Sequence, residues 1–312
     1  MYAHTEFPHG LLFHHFHDDL HPTGQGSISA EKLADIIEFA GRERILNADE
    51  WIERSLSGTL RDSDLCITFD DNLLCQYDIA YPVLQSYGIK AFWFIFSSCF
   101  RGEFLPLEIY RYFRSTEFDD VDSFYEAFYR SLEKLSYGVE IIRRTAPRNF
   151  IDYLAHLPYY TEADRRFRYL RDMELGNERY EEVMDAMIEA SDLDRESLPD
   201  KLWMNEGHIK KLCEDRHVIG LHTHNHPTNC ASLPGHVQHR EYAENIEVLE
   251  SITGHRPLTM AHPCGSYNAD TLDALNDLNI EIGFRADVDG AAQSLLEQPR
   301  MDHAVILKLM AQ

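Results

Sequence analysis

The chain has 312 residues, of which 44% are hydrophobic and 12% aromatic, and a formal net charge of -24. This composition excludes a disordered or low-complexity chain and leaves room for one large barrel or two ordinary domains. The negative charge argues against nucleic acid and anionic membrane surfaces, which would be approached against repulsion, and suits a neutral or cationic substrate.

In chain order, Met1 to Pro8 lacks the basic start and apolar core of a signal peptide, and no later run is long or apolar enough to span a bilayer. A cytoplasmic protein without membrane insertion is the expectation. Cys66, Cys75, Cys99, Cys213, Cys230 and Cys264 are scattered without a Cys-x-x-Cys pair and read as free thiols, not zinc ligands. Gly10-Leu11-Leu12-Phe13 opens a strand that runs into His14, His15 and His17. His14 and His15 would face opposite ways, and His14 is favoured to share a mouth with later strand ends. Ser29 as N-cap, then Leu33, Ile36, Ile37 and Ala40, then Gly41, predict a helix.

The second unit starts with the apolar run Leu65 to Phe69, a buried strand ending in the adjacent carboxylates Asp70 and Asp71. Side chains of neighbouring strand residues diverge, so the two can share one site only if the chain turns between them. Taken alone, the pair reads more readily as an acidic turn capping the next helix. That helix carries Leu74, Ile79, Val83 and Leu84, with Pro82 as a possible kink and Gly88 as its stop. Ile89 to Phe96 is a near-continuous apolar run, as a parallel strand buried on both faces should be.

From 101 to 203 the pattern changes to amphipathic helices with Tyr110, Phe113, Phe124, Phe128, Leu132, Leu135, Tyr169, Leu170, Met184 and Met187 on apolar faces, more in keeping with core than with a ligand box. Alternation then resumes. A helix near Ile209 and Leu212 precedes the strand His217 to Leu221, which delivers His222-Thr223-His224-Asn225-His226-Pro227. A helix through Tyr242, Ile246 and Leu249, a strand at Leu258 to Ala261, a helix through Leu272 and Leu275, a strand from Ile280 to Phe284 and a last apolar run, Ala304 to Leu307, complete the series. The order predicts an α/β fold: a (β/α) barrel with one segment missing, built from residues 1–100 and 204–312 around a helical insertion at 101–203.

Three histidines at alternate positions past a strand can face one side, and two histidines with one carboxylate leave a metal with open positions for water and substrate. Asp71, His222 and His226 would supply that set, although a histidine-rich loop without metal has the same pattern.

With these residues in place, the sequence resembles the polysaccharide deacetylases of the NodB-homology type, carbohydrate esterase family 4. Their first motif, Thr-Phe-Asp-Asp, stands as Thr68-Phe69-Asp70-Asp71, and their second, His-Ser/Thr-x-x-His before Pro, as His222 to Pro227. The third, of the form Ala-Tyr-Pro-Tyr-Gly, stands as Ala261-His262-Pro263-Cys264-Gly265, followed by Ser266-Tyr267-Asn268. Three ordered motifs carry far more weight than any one. The resemblance implies a distorted (β/α)7 barrel and a hydrolase that removes N-acetyl groups from an amino sugar of a glycan or glycan precursor, in surface polysaccharide (such as O-antigen) biosynthesis. It implies Asp70 as general base, and Asp71, His222 and His226 as ligands of one divalent ion, zinc foremost, with cobalt, manganese, iron or nickel as alternatives.

Ala261 stands where many members carry the arginine that orients the base, and Arg285 is the expected substitute. His303 is the nearest candidate for the general acid, and His14, Cys264, Gly265 and Arg285 are expected to face substrate. Two rivals are a barrel that binds sugar or a partner without turnover and a non-haem iron oxygenase, which shares the two-histidine, one-carboxylate set but not the alternating order.

Overall fold

The computed structural model describes residues 6–145, 147–155 and 161–312. The chain divides into two compact units, one of residues 1–105 with 199–312 and one of residues 106–198. In the first, β1 (His9–Phe13), β2 (Leu65–Phe69), β3 (Phe92–Ile95), β4 (Val218–Leu221), β5 (Thr259–Ala261), β6 (Ile282–Phe284) and β7 (Arg300–Asp302) pair in parallel in the order β6-β5-β4-β3-β2-β1-β7. Gln298 closes most of the remaining gap: its N–H donates to the Gly283 carbonyl at 2.8 Å and its carbonyl accepts from Arg285 N–H at 3.0 Å. The result is a distorted (β/α)7 barrel. Every residue of β1, β2 and β3 is buried, as strands lined on one face by the barrel interior and on the other by helices must be.

The helices follow from apolar spacing and caps. In α1 (Ala30–Ala40), Ser29 accepts from Lys32 N–H and Leu33, Ile36, Ile37 and Ala40 are buried. The sequence reading passed over α2 (Ala48–Ser57), which lies between Asn47 and the left-handed Gly58 and buries Ala48, Trp51 and Ser55. Pro82 lies just past the π-helical stretch Gln76–Ala80, which runs without a break into α3 (Tyr81–Tyr87), so the helix widens directly before the residue that cannot donate an N–H.

The second unit consists of α4 (Pro106–Thr116), α5 (Val121–Glu133), α6 (Gly138–Arg144), α7 (Pro147–Phe150), α8 (Glu162–Tyr169) and α9 (Gly176–Glu189). Its aromatic side chains form its own core, with Phe167 5.0 Å from Phe128 and 5.5 Å from Phe124 between ring centroids. The barrel unit continues with α10 (Pro199–Leu202), α11 (Glu206–Glu214), α12 (Gly235–Thr253), α13 (Ala269–Asp277) and α14 (His303–Met310). The run Ala304 to Leu307, read from sequence as a strand, lies in α14; the seventh strand is the preceding Arg300–Asp302. Asp302 Oδ1 accepts from Ala304 N–H at 2.8 Å and starts the helix, which turns Ile306 inward and leaves Val305 exposed. Among the described residues no helix is long and apolar enough to cross a membrane.

Gly283 marks the closure of the barrel, since a Cβ there would lie 2.5 Å from the Leu296 carbonyl oxygen and 2.9 Å from Met260 Sδ. Gly283→Ala is expected to lower stability by about 1–3 kcal/mol, because backbone must move to admit one methyl group. A urea midpoint equal to that of the wild type would show that the closure is softer than this contact implies.

Candidate metal centre

At the end of β2, Asp70 N–H makes a last bond to the Phe13 carbonyl at 3.3 Å, and the chain then turns through Asp71 (φ 78°) and Asn72 (φ 56°). This turn brings the two adjacent carboxylates to one site. Asp71 Oδ1 lies 3.3 Å from His222 Nε2 and 3.1 Å from His226 Nε2. The ligand atoms of the three residues fall within 4.8 Å of one another. Left-handed backbone is unusual for residues bearing side chains, yet Asp71, Asn72, Thr223, His226 and Cys264 all adopt it around the sequence motifs.

Neighbouring groups aim these ligands. His222 Nδ1 lies 2.9 Å from the Ala261 carbonyl and donates to it, which leaves the Nε2 lone pair turned toward Asp71. His222 N–H donates to Asn245 Oδ1 at 2.9 Å, and Asn245 Nδ2 donates to the Ile95 carbonyl at 3.0 Å, so one buried side chain of α12 joins the ends of β3 and β4. Glu241, also on α12, accepts from Asn225 N–H at 2.8 Å and from Asn225 Nδ2 at 2.9 Å. His226 N–H donates to Thr223 Oγ1 at 3.1 Å. The middle histidine of the motif, His224, places Nδ1 2.8 Å from Ser97 Oγ and serves the loop instead. The donor set is two imidazole nitrogens and one carboxylate, with the His222 tautomer fixed from outside, and it fits a divalent ion of the zinc type.

Asp70 has a different partner, one that sequence reasoning missed. Arg300, fully buried on β7, donates from its two terminal nitrogens to the two Asp70 oxygens at 2.6 and 2.8 Å. Its Nε donates to the Arg285 carbonyl at 2.8 Å, and its guanidinium carbon lies 5.7 Å from the Phe94 ring centroid. Gly10, paired with Arg300 across β1 and β7, gives the side chain room: a Cβ there would sit 3.1 Å from Arg300 Cγ. Burial opposes ionisation of Asp70, but the Arg300 charge and its hydrogen bonds outweigh it and hold the carboxyl below its ordinary range. Burial likewise works against Asp71, and His226 with His222 overcomes it by more.

His14 joins the cluster, with Nε2 4.0 Å from Asp71 Oδ2. Burial lowers its pKa, and Asp71, Asp70 and Asp302 partly restore it. Cys264 lies close enough that desolvation and the Asp71 and Asp70 charges push its thiol up to about 11. Gly265 follows it with φ 65° and its N–H on the His262 carbonyl at 3.0 Å. His262 itself is structural, its Nε2 2.9 Å from the Leu296 carbonyl and its ring stacked on Tyr267.

Two expected residues are engaged elsewhere. Arg285 binds Asp287 and the Gly290 carbonyl and touches the Asp70 network only through its own carbonyl; the arginine that holds Asp70 is Arg300. His303 Nε2 lies 2.9 Å from the Gly26 carbonyl and its ring stacks on Phe13, so β1 and the segment that follows it hold this side chain, not Asp70 or Asp71.

Residues 188–283 match the polysaccharide deacetylase family, a span that holds the second and third motifs but not Asp70 and Asp71. No curated protein matches the chain. Among solved structures, the chain is similar to the deacetylase PplD of Streptococcus pyogenes in complex with acetate, at 15% identity over 96% of this chain and 93% of that one, with a TM-score of 0.54. IcaB of Ammonifex degensii gives 14% identity over 99% and 97%, with a TM-score of 0.55. The BpsB deacetylase domain of Bordetella bronchiseptica gives 12% over 96% and 98%, with a TM-score of 0.51. Residues 188–283 are therefore similar to the polysaccharide deacetylases, and the barrel as a whole has the NodB-type fold of these solved deacetylases.

Proposed function

We propose that this chain is a metal-dependent hydrolase that removes N-acetyl groups from an amino sugar of a glycan or glycan precursor, in surface polysaccharide assembly and in the cytoplasm. The observation that carries this reading is the juxtaposition of Asp71, His222 and His226 within 4.8 Å with a separate, arginine-held carboxylate, Asp70, 3.7 Å from His222 Nε2. Asp71, His222 and His226 would hold the ion. A bound divalent ion supplies Lewis acidity toward the amide carbonyl. Asp70, kept ionised by Arg300, takes the proton of the attacking water, and in this reading His14, beside Asp71, passes a proton to the departing amine. Acetate and a free sugar amine are the products. The backbone at Cys264 and Gly265 faces the acyl group in this reading.

One observation favours a second reading, a barrel that binds sugar without turnover: both Asp70 oxygens are already occupied by Arg300. Acetate release decides between them. The purified chain, loaded with zinc or cobalt and given N-acetylated hexosamine oligosaccharides, is expected to release one acetate per free amine formed and to stop when chelated. A metal-loaded chain that binds these oligosaccharides and releases no acetate supports the binding reading.

A further inference from the structure

We propose that Gln76 is a positioning residue that sets the separation of His14 and Asp70, the two proton-handling groups in the deacetylase reading on which this inference rests. The β1–β2 ladder ends at the bond from Asp70 N–H to the Phe13 carbonyl. Past that bond, the carbonyls of His14 and Asp70 both turn to one side chain. Gln76 Nε2 lies 2.8 Å from the His14 oxygen and 2.6 Å from the Asp70 oxygen. A primary amide carries two N–H donors on one nitrogen, so a single group satisfies both carbonyls, and a flipped amide would set its oxygen against two acceptors. Gln76 is fully buried, and its Oε1 has no partner among the described residues, so the two carbonyls fix the orientation.

Local structure explains how the side chain arrives there. The left-handed pair Asp71 and Asn72 reverses the chain after β2, and Gln76 then opens the π-helical turn Gln76–Ala80 with its side chain directed back at the strand ends. Cys75 adds a second tie to the same loop, its Sγ accepting from Phe16 N–H at 3.4 Å. Asp70 and Asp71 share a peptide, so the bond to the Asp70 carbonyl steadies the base and one ion ligand together. The bond to the His14 carbonyl steadies the imidazole 4.0 Å from Asp71. Among the described residues, the backbone ladder between β1 and β2 ends at the Asp70–Phe13 bond, so past it the amide spans the two strand ends.

The test uses the full chain. With side-chain 15N-labelled glutamine, both Gln76 Nε2 protons are expected to exchange at least about 100-fold more slowly than free glutamine amides; free-amide exchange overturns the proposal. Gln76→Met keeps the length and removes both donors. Its kcat for acetate release is expected to fall about 10–100-fold, with the limbs of the kcat–pH profile displaced and KM within about threefold. A folded Gln76→Met chain with unmoved limbs, whatever its rate, shows a structural role only and overturns the positioning claim. If the chain releases no acetate at all, the deacetylase reading fails separately. The exchange rates and the visible spectrum of the cobalt-loaded chain still decide here: a spectrum shifted in Gln76→Met supports the proposal, and an identical one overturns it.

Discussion

Arg300→Met is expected to lower stability by about 3–5 kcal/mol, because it leaves the buried Asp70 carboxylate without its counter-charge. Activity should fall about 10–100-fold at least, as for other residues that orient a reacting group from behind. The pH dependence identifies the cause. In the wild type the folded Asp70 pKa is depressed, so the pair's contribution is present above the unfolded carboxylate value of about 4 and is lost as pH falls through the folded one. In Arg300→Met the largest remaining influence is burial, which raises the pKa, so the stranded charge destabilises at neutral pH and is relieved on acidification. The gap between wild-type and variant urea midpoints should therefore narrow from pH 7.5 to pH 4.5, and the acid limb of activity should move to higher pH. A gap that stays constant across that range would mean that Arg300 acts through packing alone.

His222→Ala and Asp70→Asn are expected to separate the two carboxylate roles. His222 is one of the three proposed ligands and its imidazole is oriented by the Ala261 carbonyl, so its loss should leave the purified chain with little or no bound divalent ion and no measurable turnover. Asp70→Asn keeps all three ligands. It should retain about one ion per chain while losing roughly 10²–10⁴-fold in rate, the usual worth of a general base. An asparagine amide also faces one Arg300 N–H with a donor of its own, so some destabilisation comes with this change, and elemental analysis must be made on folded material. Metal lost equally in both variants would place Asp70 among the ligands and remove it as the base.

The strands, the adjacent carboxylates and the histidine loop were legible because each is local: an apolar run of strand length, then polar residues where it leaves the core. The turn between Asp70 and Asp71 could only be posed as a condition, since two consecutive left-handed non-glycine residues leave no clear mark in sequence. Arg300 was hidden for a different reason. It is 230 positions from Asp70, and only the register of β7 beside β1 brings them together. A signal existed, in an arginine two residues ahead of an N-cap and next to apolar Met301, for a charge in a strand needs a partner. Ala304 to Leu307 was misread because four apolar residues suit either period, and the deciding residue, Asp302, is a cap that acts only once the strand has ended. Asn47 and Gly58, which bracket α2, were readable and were passed over.

The pairing of β7 with β1 also has a consequence for the order in which the protein can be made. The strands β1, β2 and β3 leave the ribosome well before β4, with residues 106–198 between them, and at about 5–20 residues per second that interval lasts roughly 5–20 s. During it the helical unit has its own contacts to form, while β1 presents an unpaired edge and Asp70 an unneutralised charge. Neither is remedied until Arg300 and Met301 have been synthesised and settle beside Gly10 and Leu11. The nascent barrel therefore spends its vulnerable period open at that edge, exposed to mispairing and to chaperones. Its last strand to dock is also the one that brings Asp70 its counter-charge, so a chain interrupted before residue 300 lacks both the edge partner of β1 and the arginine of that carboxylate.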